Sequence, residues 1–301
     1  MVTEQQILDH IRKATPNSKK YLHDDAAVIE NNLVITTDSL VENTHFTLST
    51  YTPEDIGYKA LAVNLSDIAS MGAIPKYALV ALSFPKSINL SWIKGLHKGI
   101  IECAKKYKTQ LIGGNLARAK EINITITVIG KILKGKIGKR SNAKAGDLVF
   151  STGSFGDSAC RLLLRKKERI VPQIELGQKI VSLSKKAPAL MDSSDGLADC
   201  LIQIADESKV KITVEEDKIP MSIYAKKTAI TLNRNPITLA LYGGEDYQLV
   251  GTASKNDCKK LKKLKGIKII GQVLKGNGAF LKQKDGRVDK LNMNMTFKHF
   301  K

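Results

Sequence analysis

The sequence predicts an α+β protein of two domains, and three observations carry that reading. The chain has 301 residues, 43% hydrophobic and 26% charged, which gives room for two domains and a substantial core. Strand and helix patterns fill the first half, stop at the Gly- and Lys-rich stretch "LKGKIGKRSNAKAGD", and restart with a strand. Neither half shows the regular strand–helix cadence of a doubly wound sheet. The boundary is expected within 134–146, dividing the chain into domains 1–138 and 139–301.

The elements follow in order. "MVTEQQILDHIRKA" reads as an amphipathic helix with Thr3 as cap. "AAVIE" and "LVITTDSL" read as strands joined by a turn at Asn31-Asn32. "TPEDIGYKALAVNLSDIASMGAIP" reads as a helix: Thr52 caps it, Pro53 opens it, acids fill its first turn, and Gly72 stops it before Pro75. "YALVALSF" is a buried strand, and a helix over 90–108 follows. "EINITITVIGKI" alternates through Ile122, Ile124, Ile126 and Val128, so one face is buried. In the second half "DLVFSTG", "APALMDSS", "KITVEE", "YQLVGTA" and "KIIGQVL" read as strands. "DGLADCLIQIADES" reads as a helix with Asp195 as a candidate cap. In "KNDCKKLKKLKGIK", Cys258, Leu261 and Leu264 recur at helical spacing between solvated lysines.

Composition excludes several classes. No run approaches the ~20 apolar residues needed to span a bilayer, and the N-terminus lacks the apolar core of a signal peptide. Cys103, Cys160, Cys200 and Cys258 form no CxxC pair, as expected of free thiols in a reducing cytoplasm. With 48 Lys+Arg against 29 Asp+Glu, the net charge is +19. The lysines lie in short solvated patches, aromatics are only 5%, and no nucleic-acid-binding motif occurs, so a general lysine bias, or attraction of anionic substrates, explains the charge better than DNA or RNA binding.

Against that background, the segregation of sign stands out. From Tyr21 to Tyr58 there is no Lys or Arg, yet Asp24, Asp25, Glu30, Asp38, Glu42, Glu54 and Asp55 all fall there. Ala187 to Ser208 repeats the pattern with Asp192, Asp195, Asp199, Asp206 and Glu207. Singly, each acid reads as a cap or turn residue. Together, with Asp67 and Asn64 on one helix face, they need a counter-cation. Two carboxylates ~4 Å apart repel by about 4 kcal/mol at an effective dielectric of 20. Oxygen ligands without His/Cys clusters suit Mg²⁺ or Ca²⁺, and Mg²⁺ held by a few acids commonly serves phosphates. No GxxxxGK[ST] occurs, so phosphate cradles are sought at "LIGGN", "STGSFGDS" and "YGGEDY". "STGSFGDS" runs into a helix start, which favours anions. No GxSxG and no telling Cys/His pair supports nucleophilic catalysis. His45, behind the first acidic strand, is the most site-like histidine.

The stretches "DDAAVI", "TTDSLVENTHF", "YKALAVNLSDIASMGAIP", "LIGGN", "GDLVFSTGSFGDSA", "MDSSDGLADCL" and "GGEDYQL", with the terminal "HF", run in the order found in the thiamine-monophosphate kinase family, which the chain resembles over nearly its whole length. That family belongs to the aminoimidazole ribonucleotide synthetase superfamily. The resemblance implies that superfamily's two-domain α+β fold, a homodimer built through the N-terminal domains, and Mg²⁺-dependent phosphorylation of thiamine monophosphate by ATP. It implies metal ligands at Asp25, Thr36, Thr37, Asp38, Asp67, Asn115, Asp192 and Asp195, with Asp67, Asp38 and Asp195 central to catalysis. It implies ATP contacts at Gly114, Asn115, Arg140 and Ser194, and substrate contacts at His45, Glu245 and an aromatic for which Phe297 is the candidate.

Two positions depart from the family pattern. His23 stands where a glycine precedes the aspartate pair. Asn115 stands where an aspartate ligates metal, so one Mg²⁺ site is expected to be weaker. Two rivals stay open. One is another ATP-dependent synthetase of the superfamily, although the reactive terminal cysteines expected there are missing between 1 and 102 and after 258. The other is a nucleotide-binding homologue impaired by Asn115.

Overall fold

The computed structural model describes residues 4–132, 135–167 and 169–296, so Thr3 and Phe297 lie outside the described residues. The first half comprises α1 (Glu4–Ala14), α2 (Ser18–Tyr21), β1 (Ala27–Ile29), β2 (Leu33–Val41), α3 (Pro53–Ser70), β3 (Ile74–Phe84), α4 (Leu90–Lys106), β4 (Gln110–Arg118) and β5 (Asn123–Lys131). Its sheet has the order β1-β2-β5-β3-β4, antiparallel except for the β3–β4 pair that α4 connects. The second half comprises β6 (Leu148–Ser151), α5 (Asp157–Leu163), α6 (Ile174–Leu183), β7 (Ala189–Asp192), α7 (Leu197–Ser208), β8 (Lys211–Glu215), α8 (Ile223–Thr231), α9 (Pro236–Tyr242), β9 (Leu249–Ala253), α10 (Lys255–Leu261), β10 (Lys268–Leu274), β11 (Gly278–Lys282) and β12 (Val288–Lys290). Its sheet runs β12-β11-β8-β10-β6-β9-β7. Among the described residues no helix is long and apolar enough to cross a membrane.

Helix α3 joins the two halves. Thr52 and Asp55 form a reciprocal capping box and Pro53 opens the helix, so its start is set by local chemistry. From Ile56 to Ser70 it is buried almost throughout, Asp67 being open on one side. Leu61, Leu65 and Ile68 are fully buried, each contributing about 1.5–3 kcal/mol. The apolar cluster around α3 contains Ile124, Ile126 and Val128 from β5 and continues to Phe150, Leu190 and Leu249 of the second sheet. The two sheets therefore share one core across α3, and a second core lies between α7 and strands β8 and β10.

Three expectations change. "LIGGN" is no phosphate loop: it lies inside edge strand β4, where a Cβ on Gly114 would stand 1.8 Å from the carbonyl oxygen of Val80. The glycine is there so that two strands can approach. The helix after Asp195 is capped by Gly196, leaving Asp195 outside it. The lysine-rich helix α10 ends at Leu261 and starts from Ser254, whose hydroxyl accepts from the Asp257 N–H.

Candidate active site

Strand β2, helix α3, the Asp24-Asp25 turn and the end of β7 bring their acids together. Along β2 the side chains alternate, so Thr36 and Asp38 face α3. Thr36 Oγ1 donates to Asp67 Oδ2 and also reaches the Asp25 carbonyl at 3.3 Å. Buried Asn64, one turn before Asp67, accepts from the Asp38 N–H at 2.9 Å and donates to Ala60 O at 3.0 Å. That bridge sets the height of Asp38 against the helix. The Asp192 N–H points at Asp25 Oδ2 across 3.3 Å, joining the second half to the first.

The electrostatics are those of crowded carboxylates, from buried Asp192 to Asp38 at the cleft. Asp67 is pushed well above the usual carboxylate range by burial first, then by Asp38, Asp192 and Asp25. Asp192 is pushed up by burial and then by Asp25. Asp192 Oδ2 is buried with no hydrogen-bond partner. Arg140 is the cation in contact: its Nη2 lies 2.5 Å and its Nε 3.1 Å from Asp25 Oδ1, while its backbone N–H donates to Asp24 at 2.8 Å. Its remaining Nη1 donates to Gln203, which in turn donates to Asp199 at 2.7 Å. Burial, then Asp195, holds Asp199 at about 7. One guanidinium against Asp25, Asp38, Asp67 and Asp192 leaves a deficit of positive charge. Among the described residues, no three acids or histidines are drawn in tightly enough to share one cation as they stand. An all-oxygen donor set, an orphaned buried carboxylate oxygen and excess negative charge nonetheless fit a hard divalent ion.

From this cluster a cleft of about 220 Å³ opens, lined by Asp38, His45, Val63, Asp195, Glu245 and Tyr247 among others. His45 Nδ1 accepts from the Val41 N–H at 3.0 Å, which puts the ring proton on Nε2. Ser194 donates to Asp195 at 3.2 Å, and its carbonyl accepts the Glu245 N–H at 2.6 Å. Gly244 turns this wall with φ +70°, and a Cβ there would meet the Ser194 carbonyl at 2.9 Å. Lys59, buried on α3, reaches Glu245 at 2.6 Å and the His45 carbonyl at 3.0 Å.

Asp25, Thr36, Asp38, Asp67 and Asp192 thus meet in one place, with Arg140 against them and Ser194, Asp195, His45 and Glu245 along the adjoining cleft. Other expected residues stand elsewhere. The Thr37 hydroxyl points to the opposite face of the sheet, donating to Ile126 O at 3.2 Å and accepting from Thr127 at 3.1 Å. Gly114 and Asn115 are on β4, separated from β2 by β5 and β3, roughly 14 Å away at ordinary strand spacing. They do not join the acidic cluster of their own chain. "STGSFGDS" is no vacant anion cradle: the Asp246 carboxylate already accepts the Gly156 and Ser158 N–H groups at 2.8 and 3.3 Å. His23 bonds Glu207 of α7 at 2.9 Å, beside the aspartate pair. Sequence reading missed Lys59, Gln203 and Asp246. Lys59 carried a signal, as the one basic residue in the buried helix "PEDIGYKALAVNLSDIAS".

Comparisons with known proteins bear on the chain as a whole. Residues 23–132 match the family described as AIR synthase related protein, N-terminal domain. The chain is 42% identical over 248 residues to the thiamine-monophosphate kinase of Bacillus subtilis, covering 76% of this chain and 74% of that protein. It is 34% identical over 291 residues to that of Aquifex aeolicus, covering 91% and 92%. A solved structure described as AaThiL complexed with AMPPCP and TMP superposes with a TM-score of 0.88 at 33% identity, over 99% of this chain and 97% of that one. A shared fold, matched end to end at this identity, makes the chain a member of the thiamine-monophosphate kinase family.

Proposed function

We propose that the protein transfers the γ-phosphoryl group of ATP to thiamine monophosphate, giving ADP and thiamine diphosphate. The observation that carries the reading is the meeting of four carboxylates from both halves, Asp25, Asp38, Asp67 and Asp192, at the end of a cleft walled by His45 and Glu245. Relatives bearing that activity in their names support it.

In this reaction an oxygen of the thiamine monophosphate phosphate forms the new bond to the γ-phosphorus, and the bond from that phosphorus to the β,γ-bridging oxygen breaks. The attacking oxygen is ionised near neutral pH, since a phosphate monoester has its second pKa near about 6. No general base is needed, in keeping with a site that offers no nucleophile–base pair. The difficulty is repulsion between two anions, and catalysis is mainly alignment and charge stabilisation. Asp25, Thr36, Asp38, Asp67, Asp192 and Asp195 would hold Mg²⁺, which when bound neutralises phosphoryl charge as a Lewis acid. Arg140, fixed by Asp25 and Gln203, would contact ATP, as would Ser194. His45 and Glu245, which line the cleft, would contact thiamine monophosphate.

We further propose a homodimer through domain 1–138, with domain 139–301 closing the cleft, in the cytoplasm. Tyr77, Leu79, Ile112 and Leu116 are exposed on β3 and β4, an apolar edge suited to a second copy. The paired rows Thr37–Thr127–Leu79–Gly113 and Ser39–Thr125–Ala81–Asn115 put Thr37 and Asn115 on the same outer face. Packing of two such faces would bring Asn115 of a second copy to the outer face that carries Thr37, on the strand whose inner face carries Asp38. The four described cysteines are unpaired and buried, in keeping with a reducing compartment. The test of function is direct: purified protein with ATP, Mg²⁺ and thiamine monophosphate should yield thiamine diphosphate by chromatography. ATP binding without product would point to the impaired homologue instead.

A further inference from the structure

The Lys- and Arg-free window ends at Lys59, and this first basic residue turns back into the site. Lys59 is 3% exposed, although a buried lysine is rare without a strong partner. Its Nζ lies 2.6 Å from Glu245 Oε1, 3.0 Å from the His45 carbonyl oxygen, and 5.5 Å from the centre of the Tyr51 ring. It therefore ties a turn of the first half to a loop of the second, the two walls that face each other across the cleft.

Both walls need holding. Glu245 and Tyr247 have left-handed backbones, φ 58° and 48°, a conformation costly for residues other than glycine. The Glu245 carboxylate also stands among like charges, since Glu245, Asp38, Asp192 and Asp195 together push the neighbouring Tyr247 phenol up, after burial. On α3, Lys59, Val63 and Asp67 fall on one side at i, i+4 and i+8, Val63 lining the cleft between them. One rigid helix thus carries the acid of the phosphoryl end and, about 12 Å along its axis, the cation of the other end. Lys59 does not itself line the cleft.

We infer that Lys59 is a positioning residue for thiamine monophosphate: it fixes Glu245 and the His45 turn at the separation the substrate requires, and takes no part in holding ATP. This rests on the proposed activity. The test measures binding of thiamine monophosphate and, separately, of a non-hydrolysable ATP analogue with Mg²⁺, by calorimetry, for the unmodified protein and Lys59→Met. The expected result is a loss of thiamine monophosphate affinity of about 10- to 100-fold, the effect of one charged hydrogen bond, with ATP-analogue affinity unchanged. Lys59→Arg, which keeps the charge, should recover part of the loss. Should Lys59→Met not fold, Lys59→Gln carries the same comparison, because it retains a donor for the His45 carbonyl. Undiminished thiamine monophosphate affinity in the folded variant, whatever its melting temperature, overturns the role of Lys59 and leaves the activity standing. An unmodified protein that fails to bind thiamine monophosphate overturns the activity, and this inference with it.

Discussion

Two buried carboxylate regions of this molecule look alike in sequence and differ in chemistry. Asp246, in "GGEDY", accepts two backbone N–H groups at the start of α5 and is held by burial at about 7. Asp192, in "LMDSS", is buried and Asp67, in "LSDIA", half-buried, but their neighbours are other carboxylates, and one oxygen of Asp192 has no partner. The first arrangement completes a helix terminus. The second gathers more carboxylates than it has donors. The distinction lies in where the donors come from: amides fixed by the fold make a carboxylate structural, and a shortage of donors makes it a site.

Substitutions should separate the two. Asp67→Asn should lower thiamine diphosphate formation by on the order of 10²–10³-fold, as for loss of one preorganised charge, while raising the melting temperature of the metal-free protein by relieving repulsion. Asp246→Ala should do the reverse: two amides lose their acceptor, costing about 2 kcal/mol or more in denaturant unfolding, with turnover per folded molecule largely kept. Equal effects on activity would erase the contrast.

The pH dependence sharpens it. Asp67, Asp192, Asp199 and Asp246 all have folded pKa values raised above the unfolded value of 3.8, Asp199 and Asp246 to about 7. Between those values the folded state binds more protons than the unfolded one, so stability is greatest at the acid end and falls as pH rises through about 7. In metal-free buffer the melting temperature should therefore drop from about pH 5 to about pH 8. Mg²⁺ should restore it at the alkaline end and release protons on binding, read as a buffer-dependent heat in calorimetry. In Asp67→Asn the proton release should shrink; in Asp246→Ala it should not.

The smallest effect concerns Asn115. Asn115→Asp should tighten the Mg²⁺ dependence of turnover by a few-fold, roughly the effect of one added exposed-to-partly-buried charge pair. Because Asn115 is three strands from Asp38 in its own chain and shares its outer face with exposed Leu79, the gain should vanish if Leu79→Glu yields a monomer by light scattering.

Much of the site was legible because its residues obey local rules. The window without Lys or Arg marked the acids, the Thr52–Pro53 start fixed the register of α3, and Asn64 three before Asp67 placed both on one face. Other parts were not legible because they depend on pairing between distant segments. "LIGGN" reads as a loop until β3 is laid beside it, and "STGSFGDS" reads as an open cradle until Asp246, 90 residues on, fills it. Thr37 differs from Thr36 by one position, which in a strand is the opposite face.

By itself the sequence determined the α+β class and marked the acids that gather without Lys or Arg, because periodicity, capping and charge segregation are local properties of the chain, and the order of its motifs gave the resemblance to the family. Only the tertiary structure decided which glycine turn lines the cleft, that Arg140 stands on Asp25, that Lys59 braces the two walls, and that Asn115 is remote in its own chain from the acids it was grouped with. Those are contacts between segments far apart in the chain, and they exist only once α3 has drawn the two sheets onto one core.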